Sequence, residues 1–184
     1  ALASAYLEYL STGDTAGLAR QGYAQPGPAD EEARHQEKPR ELVARLVDRS
    51  SRVSILALDD DDLERVAAEY AESTGTVSTY AVDVRDEEQI RSVVARASAL
   101  HGPCDLLITS AGIVRPGHSL DLPDGEFERE MEVNFFGTLY AIRAVVPSML
   151  ERRSGRIVAI SSAAGLLGVF GYSAYGQRST RYAV

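Results

Sequence analysis

The sequence predicts an α/β fold built on a doubly wound parallel sheet. Short apolar runs of strand length alternate with longer stretches of helical periodicity along residues 39–175. Strands separated by helices are joined by crossovers, which makes the sheet parallel. The runs are apolar at nearly every position, the pattern of strands covered on both faces. Right-handed crossovers wind helices onto both faces and bring the carboxyl ends of the strands to one side, where such sheets bind ligands.

Each element has its own signal. In residues 1–38, Gly22, Pro26, Gly27 and Pro28 crowd together and Asp30–Lys38 is polar. This reads as an irregular, disordered segment, leaving residues 39–184 as the domain. Pro39 suits a first helical turn, and Leu42, Val43, Leu46 and Val47 follow at helical spacing. Val53–Leu58 is a strand, Leu63–Tyr70 a helix and Thr76–Val84 a strand. Asp86–Leu100 is a helix with Ile90, Val93, Val94 and Ala97 on one face and acids in its first turn. Leu106–Thr109 is a strand ending at Ser110-Ala111-Gly112. Glu126–Arg152 reads as one long helix that Pro147 should kink or end. Arg156–Ser161 is the last strand, and Tyr172 begins another helix.

Composition narrows the function classes. The 184 residues are 45% hydrophobic and 25% charged, enough for one globular domain with a real core. No run approaches 18 consecutive apolar residues, so no transmembrane segment is expected. No basic region precedes an apolar core at the N-terminus, so no secretory leader is expected. Nineteen basic against 27 acidic residues give a formal charge of −8, which disfavours nucleic acid as a partner. Cys104 is the only cysteine. That excludes a disulfide framework and fits a reducing, cytoplasmic setting. His35, His101 and His118 share no ligand spacing, so no metal site is expected. All basic residues but Lys38 are arginine.

The residues just after the strands carry the chemistry. The first strand runs into Asp59-Asp60-Asp61-Asp62, the second into Asp83-Val84 and the third into Ser110-Ala111-Gly112. The fourth runs into Ser161-Ser162, followed by Gly165, Gly168 and Gly171, then Tyr172 and Tyr175. Ser162 and Tyr175 lie 13 positions apart across a glycine-rich loop. Two hydroxyls converging at a strand end can stabilise a substrate oxygen and exchange its proton. The same pair reads equally as a turn-capping serine and a core tyrosine.

Ile157-Val158-Ala159-Ile160-Ser161-Ser162-Ala163-Ala164-Gly165, with Tyr175 thirteen residues after Ser162, resembles the short-chain dehydrogenase/reductase family. Asn134 in Val133-Asn134-Phe135-Phe136-Gly137 resembles the family's helix asparagine. Ser110-Ala111-Gly112 resembles its Asn-Ala-Gly turn, with serine first, and Asp83-Val84 its adenine-side acidic turn. The resemblance covers roughly Pro39 to Tyr175. Glu151–Val158 and Gly165–Tyr172 look most like the 3-ketosphinganine (3-ketodihydrosphingosine) reductase branch.

The resemblance implies a Rossmann-like sheet and an oxidoreductase that reduces a ketone or oxidises a secondary alcohol with NAD or NADP. It implies that Tyr175 is the general acid, that Ser162 hydrogen-bonds the carbonyl oxygen and that Asn134 holds a water in a proton relay. Asp83, Val84, Ser110, Ala111, Gly112 and Tyr175 would contact the cofactor. The substrate would be a small-molecule ketone or alcohol, and family analogy implies a homo-oligomer. Apolar Leu166, Leu167, Val169 and Phe170 suit a lipid-like 3-keto substrate, or simply a packed loop.

Three departures qualify this. The family's Tyr-x-x-x-Lys is here Tyr175-Gly176-Gln177-Arg178-Ser179, with Ser179 at the lysine position. Arg178, at i+3, is the nearer arginine on the tyrosine's helical face, but it is not equivalent to an ammonium. Thr12-Gly13-Asp14-Thr15-Ala16-Gly17-Leu18-Ala19 resembles the phosphate loop, but Glu8 interrupts the run before it and Pro39 lies about 20 residues beyond Gly17. The sequence stops at Val184, within the expected helix. These departures imply a sheet incomplete at both ends. The family's first strand sits mid-sheet, so a gap is expected beside residues 53–58, poorly filled by residues 1–38. The other reading is an inactive or truncated remnant acting as a binding subunit. Cofactor preference is divided: the branch has arginine at the position of Leu58, favouring NADP, whereas Asp59–Asp62 would repel a 2′-phosphate.

Overall fold

The structure, a computed structural model, describes residues 42–47, 51–73, 75–115 and 120–162. All of these but Leu42 belong to one compact unit, Val43–Val184. Helical residues 42–47 precede β1 (Arg52–Ala57), α1 (Asp60–Glu69), β2 (Thr76–Ala81), α2 (Glu87–His101) and β3 (Leu106–Thr109). There follow α3 (Glu126–Met131), a π-helical turn (Glu132–Phe136), α4 (Gly137–Arg152) and β4 (Arg156–Ala159).

Aspartates start the two βα helices. The Asp59 carboxylate accepts the Asp62 N–H at 3.1 Å, and that of Asp86 accepts the Glu88 and Gln89 N–H groups, each at 3.0 Å. Each cap satisfies donors that the helix leaves open, and the first-turn acids complement its dipole.

Both strand pairs are parallel. β1 pairs with β2 from Arg52↔Thr76 to Ala57↔Ala81, and β3 with β4 from Leu106↔Arg156 to Thr109↔Ala159. Among the described residues the pairs form two separate sheets, with no strand joining β1 to β3. Residues 1–38, including Gly13 and Gly17, lie outside the described residues.

One core cluster joins the β1–β2 pair to α2 and α4. Val82, Ile90 and Val93 are buried, with Leu56, Tyr80, Val84 and Val94 around them and Tyr140, Ala141 and Ala144 of α4 on the far side. Gly137 begins α4 against the end of β2. A Cβ there would lie 2.9 Å from Val84 Cγ2, so only glycine permits the approach.

Four expectations need correction. β2 ends at Ala81, although the Val82 N–H still bonds the Ala57 carbonyl at 2.8 Å. The long helix does not end at Pro147: α4 runs on to Arg152, with Pro147 on its exposed side. β4 is exposed along all four residues, not covered on both faces. Among the described residues α4 packs on α2 and on β3, and neither helix makes comparable contact with β4. Finally, helix Glu126–Arg152 spans 27 residues and reaches a mean hydropathy of 1.3 over an 18-residue window, long and apolar enough to cross a membrane. Its contacts are those of a core helix. It packs on β3 and α2 and buries Glu126, Glu130, Asn134 and Thr138.

Candidate active site

The ends of the strands meet through α4. Asn134 sits in the π-helical turn, where one extra residue per turn re-aims the side chains. Its Oδ1 accepts the Ile113 N–H and its Nδ2 donates to the Ile113 carbonyl, both at 2.8 Å. Gly137, three residues later, lies against Val84. One turn of helix therefore touches the chain just beyond β3 and just beyond β2, so both carboxyl ends lie on the same side. The Ile160 N–H bonds the Thr109 carbonyl at 2.9 Å, carrying the end of β4 to the same place.

Seven of the expected site residues are among the described residues. Ser110, Ala111 and Gly112 form an exposed turn directly after β3, and Ser162 is half-buried just after β4. Asp83 and Val84 follow β2. Asn134 is fully buried beneath the turn, 0% exposed. Each of its two polar atoms keeps one hydrogen-bonding position beyond the pair spent on Ile113. Its first task is to pin the turn. Tyr175, Arg178 and Ser179 lie outside the described residues, so the Ser162–Tyr175 convergence does too.

Asp83 is engaged by its own neighbour. Arg85 Nε donates to Oδ1 at 3.0 Å and to Oδ2 at 2.9 Å, and the Arg85 backbone N–H reaches Oδ1 at 3.0 Å. The Arg85 side-chain hydrogen bonds hold the Asp83 carboxyl below the usual aspartate value, against a smaller opposing effect of burial. A folded-state pKa that is depressed contributes stability above the unfolded value near 3.8, lost as pH falls through the folded one. Arg85→Met is expected to return the Asp83 titration toward the ordinary value, read by carboxyl chemical shift against pH. An unchanged midpoint would remove Arg85 as the cause.

The sequence reading passed over two groups. Glu126 and Glu130 are 6% and 1% exposed, although both are carboxylates on the first turns of a helix. The signal was their spacing: Glu126, Glu130, Asn134 and Thr138 recur every four residues, one helical face.

Comparison with known proteins fixes the family. Residues 39–178 match the short chain dehydrogenase family model. The chain belongs to that family, as the parallel strand pairs and the residues at their carboxyl ends indicate. Its relatives include the 3-ketodihydrosphingosine reductase of Bos taurus, 38% identical over 128 residues, which are 67% of this chain and 39% of that protein. The oxidoreductase UcpA of Salmonella typhimurium is 33% identical over 125 residues, 68% of this chain and 48% of that one. Among solved structures, the F189W actinorhodin polyketide ketoreductase with NADPH superposes with a TM-score of 0.73 at 29% identity, covering 77% of this chain and 55% of the other. The chain thus spans about half or less of the curated relatives it matches. The fold is a partial Rossmann-like sheet, and the family is one of oxidoreductases using nicotinamide cofactors.

Proposed function

We propose that this chain binds a nicotinamide dinucleotide across the carboxyl ends of its strands and acts on the oxygen of a ketone or secondary alcohol. The observation that carries this is the turn Ser110–Gly112, exposed after β3 and pinned from below by Asn134 through Ile113. Small residues at Ala111 and Gly112 let a ligand approach the backbone closely. Asp83, at the end of β2, supplies a carboxylate for the adenine side, shared with Arg85.

A bound nicotinamide supplies the hydride. The chain's residues handle the oxygen. Ser162, just after β4, donates a hydrogen bond to it and Tyr175 exchanges its proton. The apolar residues Leu166, Leu167, Val169 and Phe170 and the 3-ketodihydrosphingosine reductase relatives support a lipid-like ketone as substrate.

The end of β1 favours NADH. A 2′-phosphate would meet the start of α1, where Asp59 already occupies the cap and Asp60, Asp61 and Asp62 follow. Like charges there repel a dianion, and the capping carboxylate has taken the helix terminus that would otherwise attract it. Titration with each cofactor, read by nicotinamide fluorescence, is expected to show NADH bound about tenfold or more tightly than NADPH. Leu58→Arg, at an exposed position beside these acids, is expected to narrow the difference. NADPH bound as tightly as NADH by the unsubstituted chain would overturn the preference, and binding of neither would overturn the function.

A further inference from the structure

We propose that Glu130 is a positioning residue for the Ser110–Gly112 turn, holding its downstream end in the shape that accepts cofactor. Glu130 is 1% exposed, and its Oε1 accepts the Arg115 backbone N–H at 2.7 Å. A buried carboxylate is costly, and this one is spent on the main chain of a surface loop.

Its neighbours on the same helical face do related work. One turn earlier, Glu126 accepts from Arg115 Nη1 at 3.4 Å, and Arg129 Nη1 lies 3.9 Å from its other oxygen. One turn later, Asn134 grips Ile113 with both amide atoms. Three side chains at i, i+4 and i+8 thus form a rail beneath residues 113–115. The turn is held upstream by the β3–β4 ladder, through the Ile160 N–H to the Thr109 carbonyl, and downstream by this rail. Residues 110–112, exposed between two fixed ends, have little slack. A site residue held by neighbours that are themselves buried and bonded keeps its geometry without the ligand. The Glu130 anchor acts at Arg115 and does not itself reach the turn, so its effect passes through the backbone.

The inference rests on the cofactor reading above, so the test has an arm independent of cofactor. Glu130→Leu removes the acceptor and leaves an apolar side chain in its place. Glu130→Gln keeps a side-chain oxygen where Oε1 stands. In the full chain, Glu130→Leu is expected to speed hydrogen exchange at the Arg115 amide by about tenfold or more, relative to amides of α2 in the same sample. It is expected to weaken NADH binding by about tenfold, while Glu130→Gln stays within about threefold of the unsubstituted chain on both readings. A purely structural role would lower the melting temperature of both variants and leave the affinity of the folded protein unchanged. Unchanged Arg115 exchange in Glu130→Leu would overturn the anchor. Faster exchange with unchanged NADH affinity would overturn its role in cofactor binding. If Glu130→Leu fails to fold, loss of affinity in Glu130→Gln equal to that of Glu130→Ala overturns the proposal. If the unsubstituted chain binds no nicotinamide, the proposed function falls and so does the cofactor role, while the exchange arm still decides the anchor.

Discussion

Replacing Ser179 by lysine is expected to raise NADH-dependent ketone reduction roughly 10²–10³-fold over the unsubstituted chain. A phenol with a pKa of about 10 is protonated at neutral pH and can still donate to a carbonyl oxygen. The cost falls on the tyrosinate left behind, which an ammonium four residues on in the sequence is expected to stabilise. One pKa unit is worth about 1.4 kcal/mol, so two or three units give the stated factor. Lys38 is the only lysine, so no other ammonium side chain takes this place beside Tyr175. Arg178 carries a charge at i+3, but a delocalised guanidinium does not reproduce a compact ammonium. Steady-state turnover with a simple ketone compares the two chains. Equal, robust rates would show that Arg178 or another group already does the work.

Asn134→Leu is expected to cost about 2–5 kcal/mol of stability. The substitution keeps the branched shape, adds the bulk of two methyl groups and removes both bonds to Ile113, leaving an N–H and a carbonyl without their partners beside a fully buried position. Each unpaired group costs about 1–3 kcal/mol. Urea unfolding at fixed pH measures the loss, read as a lower midpoint at constant slope. A change below about 1 kcal/mol would mean that the Ile113 groups find water or new partners, and that Asn134 is not the pin described above. Asn134→Asp is expected to cost at least as much at neutral pH, because it sets a buried carboxylate oxygen against the Ile113 carbonyl, and to lose less at low pH, where the protonated acid can donate.

These two predictions draw on different levels of information. The lysine position is purely a matter of sequence spacing, and the sequence alone singles out Ser179. The Asn134 pin could not. Its place in the family pattern marked it as functional, but the atoms it holds lie 21 residues away in the chain, at Ile113. The strands were legible because short apolar runs stand out between stretches of helical periodicity, and the helix starts because Asp59 and Asp86 are capping residues. The π-helical turn was hidden because Glu126, Glu130 and Asn134 sit at ordinary helical spacing on either side of its start. Acidic residues at a helix start read as solvated, which concealed the burial of Glu126 and Glu130 until the loop 113–115 was seen above them. The exposure of β4 was equally hidden, since Ile157, Val158 and Ile160 look like core residues in sequence yet are 39%, 43% and 41% exposed.

The central claim is that a nicotinamide cofactor lies across the ends of β2, β3 and β4. Titration of NADH into isotopically labelled chain, followed by backbone amide shifts, tests it without requiring turnover. The account predicts saturable shifts at Asp83, Val84, Ser110, Ala111, Gly112 and Ser162, with the amides at the opposite ends of the strands, near Arg52 and Thr76, unmoved. Saturable binding that moves the Arg52 and Thr76 ends and leaves Ser110–Gly112 untouched would contradict it, as would the absence of any saturable shift.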